Sequence, residues 1–154
     1  MREGTEFDEL DLDILREIEE NPRAGIRDLA KKLKTPKSTI YYRMKKLERS
    51  GVIKGYRVVL DGEKLGFEYH VVILIKGKYG PKYHDEVGRL LSKNPYVQAV
   101  YYVLGDVDFV VIGRFPRKEV YLAFLEEIIN SGLVERSNTI VVAKQVKEDF
   151  RLNI

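Results

Sequence analysis

Ser38, Tyr42, Lys45 and Arg49 recur at three- to four-residue intervals, the spacing that stacks side chains on one face of a helix. Hydroxyl, phenol, ammonium and guanidinium groups on one helical face are donors suited to base edges and phosphates in a DNA groove. Thr39, Tyr41 and Lys46 flank that face, and Lys37 and Arg43 lie nearer its inner edge. Lys31, Lys32 and Lys34 precede it and extend its positive charge. A solvated outer face of an ordinary amphipathic helix carries the same residue types, so the pattern needs a scaffold beside it.

A second constellation is Gly105-Asp106-Val107-Asp108, two carboxylates beside a residue with no side chain. Carboxylates next to exposed backbone suit an ammonium group, and Ser137 and Thr139 further on offer hydroxyl contacts. The same Gly-Asp pair also makes a good hairpin turn with no ligand at all. The two histidines, His70 and His84, lie fourteen residues apart with no ligand-spaced cluster around them, and cysteine is absent. Thiolate metal sites and disulfides are thereby excluded. No phosphate-binding glycine loop and no nucleophile–base pair is present, so no catalytic residue, metal or cofactor is expected.

The elements that must position these groups follow from periodicity and charge. Leu10, Ile14, Leu15 and Ile18 form an apolar stripe of helical period, opened by Asp8 as a cap with Asp11 three residues on. A short helix is expected from Ile26 to Leu33 behind Gly25. Lys34-Thr35-Pro36 then makes a tight turn into a third helix, capped by Thr35 or its neighbour and stopped by Gly51. Ile40, Met44 and Leu47 set the inward face of that helix, which leaves Arg43 and Lys46 off the core stripe and available to a partner. Val52 to Leu60 reads as a β-rich wing carrying Lys54 and Arg57. Two helices, a turn, a third helix and a wing give the winged helix-turn-helix order.

Charge supports that reading through its distribution, because the net value of +3 conceals two opposed segments. Residues 1–20, including Glu3, Glu6, Asp8 and Glu9, hold two basic and nine acidic groups, whereas residues 21–60 hold twelve basic and two acidic ones. Residues 61–154 hold thirteen of each. A polyanion would be attracted to the middle segment alone. One third of the residues are charged, which fits the surface of a thermophile's protein. The acidic start is unlike a signal peptide and no apolar run is long enough to span a membrane; a soluble cytoplasmic protein is expected.

Asp61 to Gly66 reads as a linker between residues 1–60 and a second domain over 67–154. There Phe67–Lys76, Val97–Leu104, Val107–Phe115 and Glu135–Val146 read as strands, with helices over Pro81–Lys93 and Arg117–Ser131. The order β-α-β-β-α-β is the ferredoxin-like pattern, making the fold class α+β. Two helices cover one sheet face, and the other, with Tyr101 and Tyr102 among its candidates, awaits a second subunit.

From Phe7 to about Val146 the sequence resembles the Lrp/AsnC, or feast/famine, family of bacterial and archaeal transcription regulators. Phe7-Asp8-Glu9-Leu10-Asp11 with Ile14-Leu15, then Leu29-Ala30, Ser38-Thr39-Ile40, Arg43, Leu47-Glu48 and Gly51-Val52-Ile53-Lys54-Gly55-Tyr56 carry the resemblance, with Gly105-Asp106-Val107-Asp108 in the second half. It departs where the proline of Thr35-Pro36-Lys37-Ser38-Thr39 is shifted by one, where Gly25 replaces serine, and where Val107 replaces an aromatic residue. The resemblance implies a sequence-specific regulator that is not an enzyme. Its partners would be double-stranded DNA and an amino-acid-like effector bound between subunits, in a homodimer that assembles to a tetramer or octamer. Lys37, Ser38, Thr39, Tyr42, Arg43, Lys46, Lys54 and Arg57 would meet DNA, and Gly105, Asp106, Asp108, Ser137 and Thr139 the effector. Proteins of the same two-domain build that decarboxylate tetrapyrroles with histidine, and architectural DNA binders without an effector, are the alternatives.

Overall fold

Asp8 opens the first helix by a reciprocal cap. In the computed structural model, which describes residues 7–154, the Asp11 N–H donates to Asp8 Oδ1 at 3.0 Å and the Asp8 N–H donates to Asp11 Oδ2 at 3.2 Å. Both orphan donors of the helix start are thus satisfied, and α1 runs Glu9–Glu20. Glu3 and Glu6 lie outside the described residues. The second helix, α2 (Ile26–Lys32), starts where the Gly25 N–H donates to the Asp28 carboxylate at 3.0 Å. The third, α3, spans Lys37–Arg49 and ends at Gly51, whose φ of 76° is the left-handed conformation glycine allows at a helix end. Ile14, Leu29, Ala30, Ile40 and Leu47 form the core of this unit, with Met44 and Ile53 packed on it.

Two local expectations are corrected here. No side chain caps α3: Pro36 itself occupies the cap position, and the Thr35 hydroxyl, one residue too early, donates instead to the Leu33 carbonyl at 3.0 Å. The bend that makes this possible is at Lys34, whose φ of 49° puts a residue with a Cβ in the left-handed region, at a cost of about 1–2 kcal/mol. The wing segment forms no strand, since residues 52–60 carry no strand hydrogen bonds. A β-branched run has nothing to gain without a partner strand, so Val58, Val59 and Leu60 stand exposed. The Ile53 N–H donates to the Leu47 carbonyl at 3.3 Å and the Tyr56 hydroxyl donates to Glu48 Oε1 at 3.3 Å, which is what anchors the segment to α3.

The second unit is a four-stranded antiparallel sheet of β1 (Tyr69–Gly77), β2 (Val97–Tyr102), β3 (Phe109–Phe115) and β4 (Val134–Val141), in the order β2-β3-β1-β4. Helices α4 (Tyr83–Ser92) and α5 (Lys118–Asn130) complete the ferredoxin-like βαββαβ fold. They begin two residues after Pro81 and one after Arg117, the expected starts. Val71, Ile73 and Ile75 of β1 and Phe109, Val111 and Phe115 of β3 meet Val87, Leu91, Tyr121, Phe124 and Ile128 of the helices in one core.

Register assigns the other face. Val72 pairs with Ile112 and Ile140, and Leu74 with Val110 and Asn138, all on the side away from the core. Tyr101, opposite Val110, belongs to this open face, but Tyr102 pairs with buried Phe109 and therefore lies on the helix side. Successive strand residues alternate faces, so the two tyrosines cannot share one.

The structure divides the chain differently from a split at 60 and 66. One unit holds the residues up to Val59 together with Glu148–Ile154, and the other runs Leu60–Lys147. Residues 61–66 fold with the second unit: the Phe67 N–H donates to the Gly62 carbonyl at 2.8 Å, and Gly62 lies so close to Arg114 that a Cβ would come within 2.7 Å of that side chain. The tail returns to α1, where Arg16 Nε donates to the Ile154 carbonyl at 2.9 Å and the Leu152 N–H donates to Glu19 at 3.2 Å. Among the described residues no helix is long and apolar enough to cross a membrane.

Candidate nucleic-acid interface and effector turn

With Ile40 and Leu47 fully buried, the opposite side of α3 is fixed by geometry, and it carries Ser38 and Tyr42, both exposed; Lys37, at the first turn and nearer the inner edge, is exposed too, with Thr39 half-buried beside them. Tyr42 is 72% exposed and its ring meets Tyr41 edge-on, with centroids 5.6 Å apart. A phenol held that far out of the core presents most of its surface to solvent or to a partner. Lys54 and Arg57 are exposed on the segment that follows. Lys45, further along α3, pairs with Glu48 at 2.8 Å; each carboxylate–ammonium contact raises the lysine and lowers the glutamate from their usual titration ranges.

Arg43 and Lys46 are placed otherwise than the apolar stripe alone suggests. Arg43 Nη1 lies 2.6 Å from Asp8 Oδ2 and 3.1 Å from Asp11 Oδ1, and Lys46 Nζ lies 3.0 Å from Asp11 Oδ2. The Asp11 side chain is completely buried, so the two cations of α3 neutralise a carboxylate embedded in the α1–α3 contact. Lys46 also sits 5.5 Å above the Phe7 ring. The Asp11 N–H first, then the Arg43 guanidinium, hold the Asp8 carboxyl below its usual value, while the Asp8 and Asp11 carboxylates hold Arg43 above its own. The role of Asp11 was detectable: it stands three residues before Ile14 and seven before Ile18, on the buried stripe, where a carboxylate requires a partner.

The residues expected to meet an effector separate into three groups. Gly105 and Asp106 are exposed on the loop between β2 and β3, in which the Val103 N–H donates to the Asp108 carbonyl at 2.8 Å. The connection therefore leaves Leu104 to Val107 as a four-residue loop, not the two-residue turn expected. Gly105 has no positive φ and a Cβ there would meet nothing within 4 Å, so neither conformation nor packing inside this chain calls for glycine. Asp108, by contrast, is buried: its carboxylate accepts from the Gly77 N–H at 2.8 Å and from the Tyr79 hydroxyl at 3.5 Å, fixing the end of β1. Ser137 and Thr139 lie on β4 opposite Ile75 and Ile73, on the helix side, and Thr139 is hydrogen-bonded to the Tyr121 hydroxyl of α5. Sequence reasoning passed over the rings of Tyr79, Tyr83, His84, Tyr102 and Phe109, which form a continuous chain of contacts near this loop. Their members come from α4, β2, β3 and the loop before α4, so no local spacing announces them. Among the described residues no group of three or more His, Asp or Glu could hold a metal.

Comparison with known proteins gives two matches along the chain. Residues 7–54 match a winged helix-turn-helix DNA-binding family, and residues 70–152 match the Lrp/AsnC ligand-binding domain. An uncharacterized HTH-type transcriptional regulator of Pyrococcus furiosus is 42% identical, over 96% of this chain and 98% of its own length. Among solved structures, an AsnC family transcriptional regulator from Agrobacterium tumefaciens superposes with a TM-score of 0.86 at 26% identity, covering 95% of this chain and 96% of that one. A transcriptional regulator of Neisseria meningitidis, solved as a complex with L-Met, gives a TM-score of 0.86 at 21% identity over 95% and 96% of the two chains.

Proposed function

The chain belongs to the Lrp/AsnC family and is a DNA-binding transcriptional regulator with an Lrp/AsnC ligand-binding domain, and on that footing we propose that it reads specific DNA sequences as a homo-oligomer under the control of an amino-acid-like effector. The family comprises regulators rather than enzymes.

The observation that carries the reading is the division of labour along α3. Arg43 and Lys46 are turned onto Asp11, while Lys37, Ser38 and Tyr42 are turned out. Lys37, Ser38, Thr39 and Tyr42 then contact DNA, Lys54 and Arg57 add phosphate contacts from the following segment, and Arg43 and Lys46 hold the reading helix at its angle. Oligomerisation rests on the open face of the sheet. Val72, Leu74, Val110 and Ile112 form an apolar patch with exposed Tyr101 and Ile140 at its sides, of the kind a second copy covers in a two-fold pair. Higher assembly to a tetramer or octamer extends the same logic.

For the effector, Gly105 is a bare backbone position with no internal reason to be glycine, beside the exposed Asp106 carboxylate. A neighbouring subunit or a ligand approaching that backbone supplies the reason. The related Neisseria structure is a complex with L-Met, which supports an amino acid as the ligand class here. Asp106 receives its ammonium group in this reading, and Asp108 acts indirectly by fixing the loop.

Selection of bound duplexes from a random pool, with and without each of the twenty amino acids, tests the proposal. Convergence on two related half-sites, with at least one amino acid changing the yield, is the expected result. A pool that stays random through successive rounds would refute sequence-specific reading.

A further inference from the structure

The helix α4 buries Val87 and Leu91 in the core, yet His84, Asp85 and Gly88 on the adjoining side face the end of β2 across a cleft of about 310 Å³. That volume lies within the range of small-molecule sites. Val100, Tyr102 and Phe109 line its other wall. The His84 ring lies 5.6 Å from that of Tyr102, tilted by 34°, and Tyr102 lies 5.4 Å from Phe109. The Tyr102 hydroxyl is 3.4 Å from that of Tyr83, which ties the strand's aromatic ring to α4. Asp85 stands at the rim, 3.6 Å from His84 Nε2, with a well-exposed carboxylate.

Gly88 is the residue that needs explaining. It sits in the interior of α4, where glycine weakens a helix relative to alanine. Its φ is not positive, and a Cβ would meet only Phe109 Cε1, at 3.6 Å, an ordinary contact. Neither backbone conformation nor close packing asks for glycine, whereas any side chain there would project into the cleft.

We infer that the cleft between α4 and β2 binds a small aromatic amine, its ring against Tyr102 and Phe109 over Gly88 and its ammonium group on the Asp85 carboxylate. Aromatic walls select a flat apolar group by edge and offset contacts, and a carboxylate at the rim selects the cation by a charge-assisted hydrogen bond. The site is separate from the Gly105–Asp106 loop and from β4, since none of its lining residues comes from either. Tyr102 and Phe109 end the two strands which that loop joins, so occupancy of the cleft bears directly on the loop's anchorage.

The chain contains no tryptophan, so the fluorescence of added tryptamine reports binding to the full-length protein without interference from an indole of its own. Saturable binding with a Kd below about 1 mM is expected. Gly88→Ala should weaken it about tenfold while raising the melting temperature, because alanine fills the cleft and favours the helix. Asp85→Asn should weaken tryptamine about tenfold, yet leave tryptophol, the uncharged alcohol of the same shape, unaffected. Asp106→Ala should leave tryptamine binding unchanged. Absence of saturation up to millimolar tryptamine would overturn the inference, as would equal affinity in Gly88→Ala and the bulkier Gly88→Leu. Loss of binding in Asp106→Ala would overturn it too, by assigning the amine to the loop.

Discussion

Among the described residues each unit buries one carboxylate, Asp11 in the first and Asp108 in the second, and they are neutralised in different ways. Asp11 is gripped by two cations from another helix, Arg43 and Lys46. Asp108 takes neutral donors, the Gly77 N–H and the Tyr79 hydroxyl. A buried ion pair contributes little net stability compared with apolar packing, but breaking one side of it is costly. The first arrangement therefore acts mainly as a lock on the rotation of α3, keeping Lys37, Ser38 and Tyr42 outward. The second fixes a strand end through neutral donors, next to an exposed loop that carries the Asp106 carboxylate.

Removing the carboxylate should separate the two cases. Asp11→Ala takes away the buried carboxylate that Arg43 and Lys46 share, leaving Arg43 with Asp8, and removes half of the α1 cap, an expected loss of roughly 3–5 kcal/mol. Leu47→Ala, which empties a fully buried position of the same unit, provides the scale at roughly 2–5 kcal/mol. Denaturant titration followed through α3 amide exchange measures both, and unchanged protection in Asp11→Ala would mean the ion pairs do not hold the helix. Asp108→Ala strands one backbone N–H and should cost less, roughly 1–3 kcal/mol, visible first as faster exchange of the Gly77 amide. Equal losses at the two aspartates would erase the comparison.

The difference extends to the cations. Arg43→Ala should lower DNA affinity and melting temperature together, since it acts through α3's seating. Lys37→Ala and Tyr42→Ala should lower affinity alone, with Lys37→Ala reducing the slope of log K against log salt by about 1. A melting temperature unchanged in Arg43→Ala would return that residue to direct DNA contact.

How much of this could be read from the chain itself depends on the range of the interaction involved. The stripes Leu10/Ile14/Ile18 and Ile40/Met44/Leu47 and the apolar runs of β1 and β3 are local patterns, and they placed α1, α3, these two strands and the cores they form, with ends shifted by a few residues. Arg43 meets Asp11 across 32 residues, and the tail reaches Arg16 across 138. Periodicity contains no record of such pairings. The strand expected over Val52 to Leu60 is absent for the opposite reason: the segment has the composition of a strand, but β structure needs a second strand, and the described residues of its unit supply none. Between β2 and β3 the Gly-Asp pair was legible as a turn, while the burial of Asp108 depended on Gly77 and Tyr79, which fold beside it from β1 and beyond.

The smallest expected effect concerns acid. Because Asp8 is held below its usual value by the Asp11 N–H and Arg43, its contribution to the first unit is fully present above the unfolded carboxyl pKa of about 3.9. It is lost as pH falls through the lower folded value. Asp8→Asn should therefore flatten the acid limb of the stability profile below about pH 4 and leave neutral pH nearly unchanged in its pH dependence. An acid limb identical to that of the parent would remove Asp8 from the lock.

The proposed pairing of sheet faces brings two α3 helices to one duplex. It is tested most directly by measuring the affinity of the full-length protein for duplexes in which two selected half-sites are moved apart one base pair at a time. Affinity should rise and fall with the helical repeat, peaking at centre-to-centre spacings near multiples of about 10–10.5 base pairs. Affinity that is indifferent to spacing would contradict the account.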